Sequence, residues 1–553
     1  MRSNQRIVVP LLALTALVVL ACGPTAGRET ATTDQTPQRG GTVTVAMRSD
    51  PTGWDPWGSQ RGNDPVRIPI EMVFSPLITP AANTDGKCEV IWEGDLAESW
   101  RLVGEDKVEF KLRPGVKWQN KAPVSGRELT VEDVVYTLDE RVKKGSAGGT
   151  FPVGPTYDRA EATDKSTVLV HLKQPFNFVD AFFIGGAGWV VAKEAAGPDG
   201  KAWLEKPEQS WIGTGPFMFQ EYQPGVKVAF TRNPDYYKTG KPYVDKIELL
   251  PMPDESTKMA ALRSGVLDIY PKMGPQQAEE IKRTNPDMFV RSCLSNFGAQ
   301  LKLKLDRPPF NDVRVRQAVS MAINRDVLVK NAVQGNGAPV YQLWPLDPEA
   351  LKLEDYPPAQ RKLLEHHPDD ARKLLAEAGI PPGFKTTMVW STSYGSPWNE
   401  IAEAMVTMLR DVGIDTELKI MEYGAYLSAA STTTGTGNYD GFALAYSNVF
   451  SSDQVASDYS ARLPREADSY NMRKAGGDPK LEAMIEELWR TVDKEKHKSL
   501  AKDLQIYLTE KVYSIRSPSW GNNVVAQRSI KNLGWRGTDK IYTNLFDQIW
   551  VSK

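Results

Sequence analysis

TTMVWSTSYGSPWNEIAEAMVTMLRDVGIDTELKI, spanning Thr386 to Ile420, changes its hydrophobic period twice and so decides the fold class. Thr386 to Trp390 is a short β-branched and apolar run, which predicts a strand. Ile401, Met405, Met408, Leu409 and Val412 then recur at helical spacing, and Gly413 supplies a stop. Ile414, Thr416, Leu418 and Ile420 alternate at period two as a second strand. Strand, helix and strand in this order predict a β-α-β unit with parallel strands and a right-handed crossover. Phe442 to Tyr446 adds a further short apolar strand. Open α/β sheets bind ligands beyond the carboxyl ends of their strands. That rule places Trp390, Ser391, Tyr394 and Trp398 at one candidate site edge, and Tyr446, Ser447 and Asn448 at another.

Moving outward, other strands and helices alternate in the same manner. Thr42 to Ala46, Val108 to Leu112, Val168 to Leu172, Val226 to Phe230 and Lys246 to Leu250 read as strands. Thr130-Val131-Glu132-Asp133 reads as a capping box ahead of a stripe at Val131, Val134, Val135, Leu138 and Val142. Val315, Ala318, Val319, Ala322 and Ile323 mark a core helix. No period of roughly 20–50 residues is visible, which excludes solenoids and propellers. The fold class is therefore α/β, in a mixed α+β arrangement. At 553 residues the chain is long enough for several domains or lobes. Its 67 Lys and Arg nearly cancel 69 Asp and Glu, so a nucleic-acid partner is not expected. With 41% hydrophobic and 25% charged residues, the bulk of the chain is neither disordered nor a polytopic membrane protein.

The first residues set the compartment. Arg2 and Arg6 precede an apolar run from Ile7 to Leu20, which reads as a signal peptide over residues 1–21. Val19-Leu20-Ala21-Cys22 resembles a bacterial lipobox, which implies cleavage before Cys22 and a lipid on it. Each buried CH₂ of such a lipid contributes about 0.8 kcal/mol to membrane anchoring. Residues 22–40, poor in apolar groups, form the lipidated end and a flexible tether. Two further cysteines, Cys88 and Cys293, are candidates for a disulfide outside the cytoplasm, and sequence leaves the bridged and free forms equally open.

Catalytic patterns are missing: no GxSxG, HExxH, P-loop or post-strand GxGxxG occurs. The four His are scattered, adjacent His366-His367 face different sides of a helix start, and neither metal nor cofactor is expected. His171 and His497 read as structural or surface residues. The 15 Trp are the remaining signal, because Trp and Tyr give broad, stiff contact area with a polar handle. Trp100, Trp118 and Trp489 lie inside periodic segments and read as core. Trp390, Trp398, Tyr423 and Tyr446 suit core and ligand wall equally, and Tyr394, Trp54 and Trp520 join them as ligand-wall candidates.

Four ordered stretches carry a family resemblance. Gly40-Gly41-Thr42-Val43-Thr44-Val45 with Asp55-Pro56 is the first. Leu96-Ala97-Glu98-Ser99-Trp100, Phe110-Lys111-Leu112-Arg113-Pro114-Gly115-Val116-Lys117-Trp118 and Glu132-Asp133-Val134-Val135-Tyr136-Thr137 form the second. Gly213-Thr214-Gly215-Pro216-Phe217 with Arg232-Asn233-Pro234-Asp235-Tyr236-Tyr237 is the third, and Pro309 to Ala318 (PFNDVRVRQA) the fourth. Together they resemble the family 5 (cluster C) extracytoplasmic solute-binding proteins of ABC importers, of the peptide, dipeptide and nickel type.

The resemblance implies a two-lobed clamp with an additional inserted subdomain. Lobe I would comprise residues 41–75, 210–297 and 511–553, the insertion 76–209, and lobe II 298–510. It also implies a monomer outside the cytoplasm, held to the membrane by lipid, that closes on a solute and presents it to an ABC permease. In peptide binders of this family an Asp, three residues after a Trp, meets the peptide amine. The matching stretch here is Ala445-Tyr446-Ser447-Asn448-Val449-Phe450, with Tyr446 at the aromatic position and Val449 at the acidic one, while Asp453 lies nearby as a substitute. Tyr423 matches an aromatic pocket position. An oligopeptide and an oligosaccharide are the solute readings that follow, with nickel chelates behind both. The rivals of other classes are a secreted hydrolase on a similar scaffold and a sensor or adhesion role.

Overall fold

Alternating apolar residues make Thr42–Met47 the first strand, β1, with Val43 and Val45 wholly buried. The computed structural model describes residues 36–57, 64–81, 88, 92–143, 156–175, 188–197, 207–381, 383–430, 436–448, 451–461, 471–534 and 546–552. The signal segment, Cys22 and Val449 lie outside them.

After helix α1 (Asp64–Val73) the chain enters a smaller unit. There β2 (Ile78–Pro80) pairs with β3 (Trp92–Gly94). β4 (Ala97–Val103), β5 (Lys107–Leu112), β6 (Tyr157–Asp164) and β7 (Thr167–Leu172) form an antiparallel sheet in the order β4-β5-β7-β6. Helix α2 (Val131–Lys143) begins where the sequence predicts, and Asp133 reaches back to the Thr130 backbone N–H at 3.0 Å. The same carboxylate accepts the Trp118 indole N–H at 3.3 Å and is clamped by Arg127 at 2.6 Å. Trp118 is wholly buried and Trp489 nearly so, whereas Trp100 on β4 is half-buried.

The chain returns through β8 (Phe217–Gln223), β9 (Lys227–Arg232), β10 (Lys246–Pro251), β11 (Ile269–Met273) and the long β12 (Phe289–Leu303). Helix α3 (Val313–Ala322), strand β13 (Gly337–Ala338) and then β14 (Phe384–Trp390), α4 (Trp398–Asp411) and β15 (Ile414–Ile420) follow. Helix α5 (Tyr423–Ala430), β16 (Phe442–Asn448), α6 (Ser452–Tyr459), α7 (Lys494–Lys511) and the long β17 (Ser514–Ala526) complete the order, before β18 (Ile530–Lys531) pairs with β19 (Trp550–Val551).

One 11-stranded sheet runs β15-β14-β16-β12-β17-β11-β1-β10-β9-β8, with β13 on the side of β17. The expected β-α-β unit is present, with β14 parallel to β15 from Phe384↔Ile414 to Trp390↔Ile420. β16 is parallel to β14, and at the other end β1 is parallel to both β10 and β11. β15 is the edge strand, so its alternation fades outward: Ile414 is buried but Ile420 is 64% exposed.

β12 and β17 cross from one half of the sheet to the other as an antiparallel pair. Phe289 to Leu294 pair with Ala526 to Gly521 beside β11, and Gly298 to Lys302 pair with Ser519 to Ser514 beside β16. Register shifts between Leu294 and Gly298, and again before Gln300. Close packing at this break requires glycine: a Cβ on Gly521 would stand 2.6 Å from the Asn336 Oδ1 atom.

Cys88 and Cys293 are joined in a disulfide with Cα atoms 5.6 Å apart, tying Cys88 to β12 just before the register break. The bridge closes a separation of 205 residues, so it removes much of the freedom of the unfolded chain. Replacing both cysteines by serine is expected to lower stability by about 2–5 kcal/mol. Chemical denaturation of the oxidised wild type against the double variant measures this, and equal midpoints would show that the bridge constrains nothing.

Candidate functional site

The carboxyl ends of the parallel strands from both halves of the sheet come together. β14 ends at Trp390 and leads to Tyr394 and Trp398, β15 leads to Tyr423, and β16 carries Tyr446 close to its end. From the other half, β1 delivers Arg48 and β11 delivers Lys272. The two sets meet where the Arg48 guanidinium carbon lies 5.8 Å from the centre of the Tyr394 ring. A cation over an aromatic face at that distance is attracted by the ring quadrupole.

The aromatic side has two layers. Trp390, Trp398 and Trp520 form the lower one, each at most 4% exposed. Trp390 and Trp398 stack at 5.8 Å, Trp520 meets Trp398 edge-on at 5.2 Å, and the Trp390 indole donates to Asn399 Oδ1 at 2.9 Å. Tyr394, Tyr423 and Tyr446 form the upper layer and are half-buried. Tyr394 packs 4.8 Å from Trp398 and 5.6 Å from Tyr423, while Tyr446 stacks on Trp398 at 6.1 Å. Tyr426, one turn after Tyr423 on α5, is fully buried and donates its hydroxyl to Leu444 O at 2.7 Å. Burial, then Tyr426 and Tyr423, push the Tyr394 hydroxyl well above the ordinary tyrosine range, so it stays neutral and can donate.

The charged side centres on Asp64, at the start of α1. Lys272 meets it at 2.7 Å, Arg67 at 3.0 Å and Arg48 at 3.4 Å. Burial alone would raise the Asp64 carboxyl, but Lys272, Arg67 and Arg48 hold it well below the usual carboxylate range. Burial likewise opposes charge on Arg48, and Asp64 with Tyr423, Tyr394 and Tyr446 outweighs it. Arg67 also meets Glu71 at 3.4 Å beneath the surface. Lys272 adopts φ 57° at a bulge between β11 and β17, a left-handed conformation unusual for a side chain of that size. Bulges of this kind re-aim side chains beside functional sites.

Of the residues singled out by sequence, Trp390, Tyr394, Trp398, Tyr423, Tyr446 and Trp520 gather in this one cluster. Trp54 lies apart from it, packed edge-on against Trp211 at 5.1 Å and Tyr222 at 5.0 Å, with its carbonyl accepting from the Trp211 indole. Ser447 is buried, and its hydroxyl accepts from Arg516 rather than facing the tyrosines. Asn448 ends β16, paired with Phe297 of β12. Tyr426, Arg48, Asp64 and Lys272 were not foreseen. The rule about strand ends, applied to β1 as it was to β14, would have singled out Arg48, and the spacing of Tyr423 and Tyr426 would have paired them on one turn.

Comparison with known proteins follows from this geometry. The family model of bacterial extracellular solute-binding proteins, family 5 (middle), matches residues 92–462. The dipeptide-binding protein of Escherichia coli K12 is 28% identical over 418 residues, covering 70% of this chain and 75% of that protein. Di/tripeptide-binding protein 1 of Pseudomonas aeruginosa UCBPP-PA14 is 27% identical over 490 residues, covering 84% and 86%. The periplasmic binding protein DppA of Helicobacter pylori, solved with the peptide STSA, shares the fold with a TM-score of 0.76 at 20% identity, covering 93% of this chain and 99% of that one.

Asp453, the acid nearest to the Tyr446 loop, is turned inward. It is 2% exposed on α6 and meets His497 of α7 at 3.3 Å, while Glu349 meets the other ring nitrogen at 2.8 Å. His497 is thus a structural residue, a buried ionic centre, which is one of the two readings its sequence context allows. Burial would push its imidazole down, but the bonds from Asp453 and Glu349 push it up, from 6.5 to about 10. A folded-state value raised above the unfolded one means stability that is complete below about pH 6.5 and lost as pH rises through about 10. His497→Gln is therefore expected to destabilise by about 3–5 kcal/mol at pH 6, where it strands the buried Asp453 and the half-buried Glu349. The loss should shrink clearly at pH 10.5. Denaturant titrations of both proteins at the two pH values measure this, and a loss independent of pH would exclude a charged imidazole.

Proposed function

The chain belongs to the bacterial extracellular solute-binding proteins, family 5, and from that premise we propose that its solute is an oligopeptide or a similar small solute, held between the two halves of the sheet against Tyr394, Tyr423 and Tyr446 and passed to the permease of an ABC importer. The observation that carries this reading is the approach of Arg48, at the end of β1, to Tyr394, beyond the end of β14. A small molecule placed there touches strand ends from both halves, and a ligand that binds both favours the closed arrangement over the open one. A micromolar Kd corresponds to about −8.2 kcal/mol. Burial of a few hundred Å² of apolar solute surface, at roughly 25 cal/mol per Å², is of that order before ordering costs.

The peptide reading draws support from the dipeptide and di/tripeptide relatives. A sugar reading would use broad indole faces, yet the three indoles of the cluster are buried, with tyrosines packed on Trp390 and Trp398. The division into lobe I (41–75, 210–297, 511–553), an insertion (76–209) and lobe II (298–510) is likewise a proposal, supported by the register break of β12 at Leu294 to Gly298. Lipid anchoring at Cys22, a monomeric state and exposure outside the cytoplasm complete the assignment.

Two outcomes test it. A thermal-shift screen of di- to pentapeptides and of oligosaccharides is expected to show stabilisation by peptides that grows as RT ln(1 + [L]/Kd). Tyr423→Ala should weaken the best peptide about tenfold or more with the apo melting temperature nearly unchanged. Stabilisation by oligosaccharides alone would overturn the peptide assignment. Cys22→Ser, expressed with the native leader, should move the protein from the membrane to the soluble fraction. Its persistence in membranes would exclude a lipid anchor.

A further inference from the structure

We propose that Arg48 receives a carboxylate of the solute, so that the anionic end of the ligand docks on the β1 side while its remainder lies along the tyrosines. The inference rests on the peptide-binding reading above.

Arg48 has unused capacity. Among the described residues its one carboxylate partner is Asp64, at 3.4 Å. Charge-assisted N–H to carboxylate bonds are typically about 2.7–2.9 Å, so this contact is long. Asp64 is already engaged by Lys272 at 2.7 Å and Arg67 at 3.0 Å. Its charge is shared, and Arg48 takes the smallest part. The side chain of Arg48 is 34% exposed, so its free donors are reachable. A guanidinium carries five N–H donors in a planar fork that fits a carboxylate in two-point fashion.

Its surroundings set the direction of the preference. Tyr394, Tyr423 and Tyr446 favour the cation but, being neutral, do not cancel it. Asp64, fixed by Lys272 and Arg67, acts as a buttress that orients the guanidinium, and the left-handed backbone of Lys272 brings one of those two partners into place. A residue serving only to latch the two halves would be satisfied by the Tyr394 face alone. It would not need an acid with two other cations behind it.

Calorimetric titration of the full protein with matched ligand pairs tests this. The pairs are di- and tripeptides as free acids against their C-terminal amides, and tripeptides with Glu against Gln at each position. The first arm reads a terminal carboxylate, the second a side-chain one. Wild type is expected to prefer the charged member of one pair about tenfold or more. Arg48→Gln should bring the two members within about twofold, and Arg48→Lys should keep part of the preference. Equal binding of charged and neutral members by wild type would overturn the carboxylate site and leave the peptide reading standing. If no peptide binds in either form, the peptide reading falls. The same comparison with non-peptide mono- and dicarboxylates and their amides then decides, and no preference there overturns the proposal. The wild-type comparison holds even if the Arg48 variants fold poorly.

Discussion

The ladder between β12 and β17 carries both halves of the main sheet, and it is interrupted where they meet. Antiparallel bonds on either side of Leu294 to Gly298 lock each half to its own neighbours, β11 on one side and β16 on the other. The break removes ladder bonds where the two halves of the sheet meet. Gly298 and Gly521 keep the backbones close there, since a Cβ at either would press on a neighbour. Just before the break, the disulfide from Cys88 pins β12 at Cys293. This geometry makes strand direction decisive. Because β1, β11, β14, β15 and β16 have their carboxyl ends at that junction, any side chain just past those ends becomes a site residue.

Chemistry is divided between the halves. One contributes aromatic surface, the other a fixed charge cluster. Tyrosines over buried tryptophans form a wall whose shape is held by the core, because moving Tyr394 or Tyr446 means disturbing Trp398 beneath them. The charge cluster works differently. Asp64 is shared among Lys272, Arg67 and Arg48, and Arg48 is the most exposed of the three.

Much of this was legible in sequence. The period changes between Thr386 and Ile420 identify β14, α4 and β15, and strand ends then locate the aromatic cluster without any coordinates. What sequence could not tell was depth. Trp390 and Tyr394 stand four residues apart with equal claims as ligand walls, yet one is 1% exposed and the other half-buried. Trp54 stands apart from the cluster for another reason: periodicity says nothing of which sheet a loop aromatic folds against, and Trp211, 157 residues away, packs with it. His497, in a highly charged helix, reads as structural or surface, and sequence does not choose between the two. Its two acidic partners come from segments separated by 148 and 44 residues, beyond any local pattern.

The fate of Asp453 bears on the solute. An acid beside the tyrosines would meet an amine, but this one is consumed by His497 and cannot turn outward without leaving a buried imidazolium with one partner fewer. The charged group that the cluster does offer is Arg48. A peptide has one cationic and one anionic terminus, and Arg48, held by Asp64 only at 3.4 Å, would meet the anionic one. Selectivity among solutes would then depend on where their negative charge sits relative to their apolar part once the halves close on them, because Arg48 and the tyrosines stand on different halves.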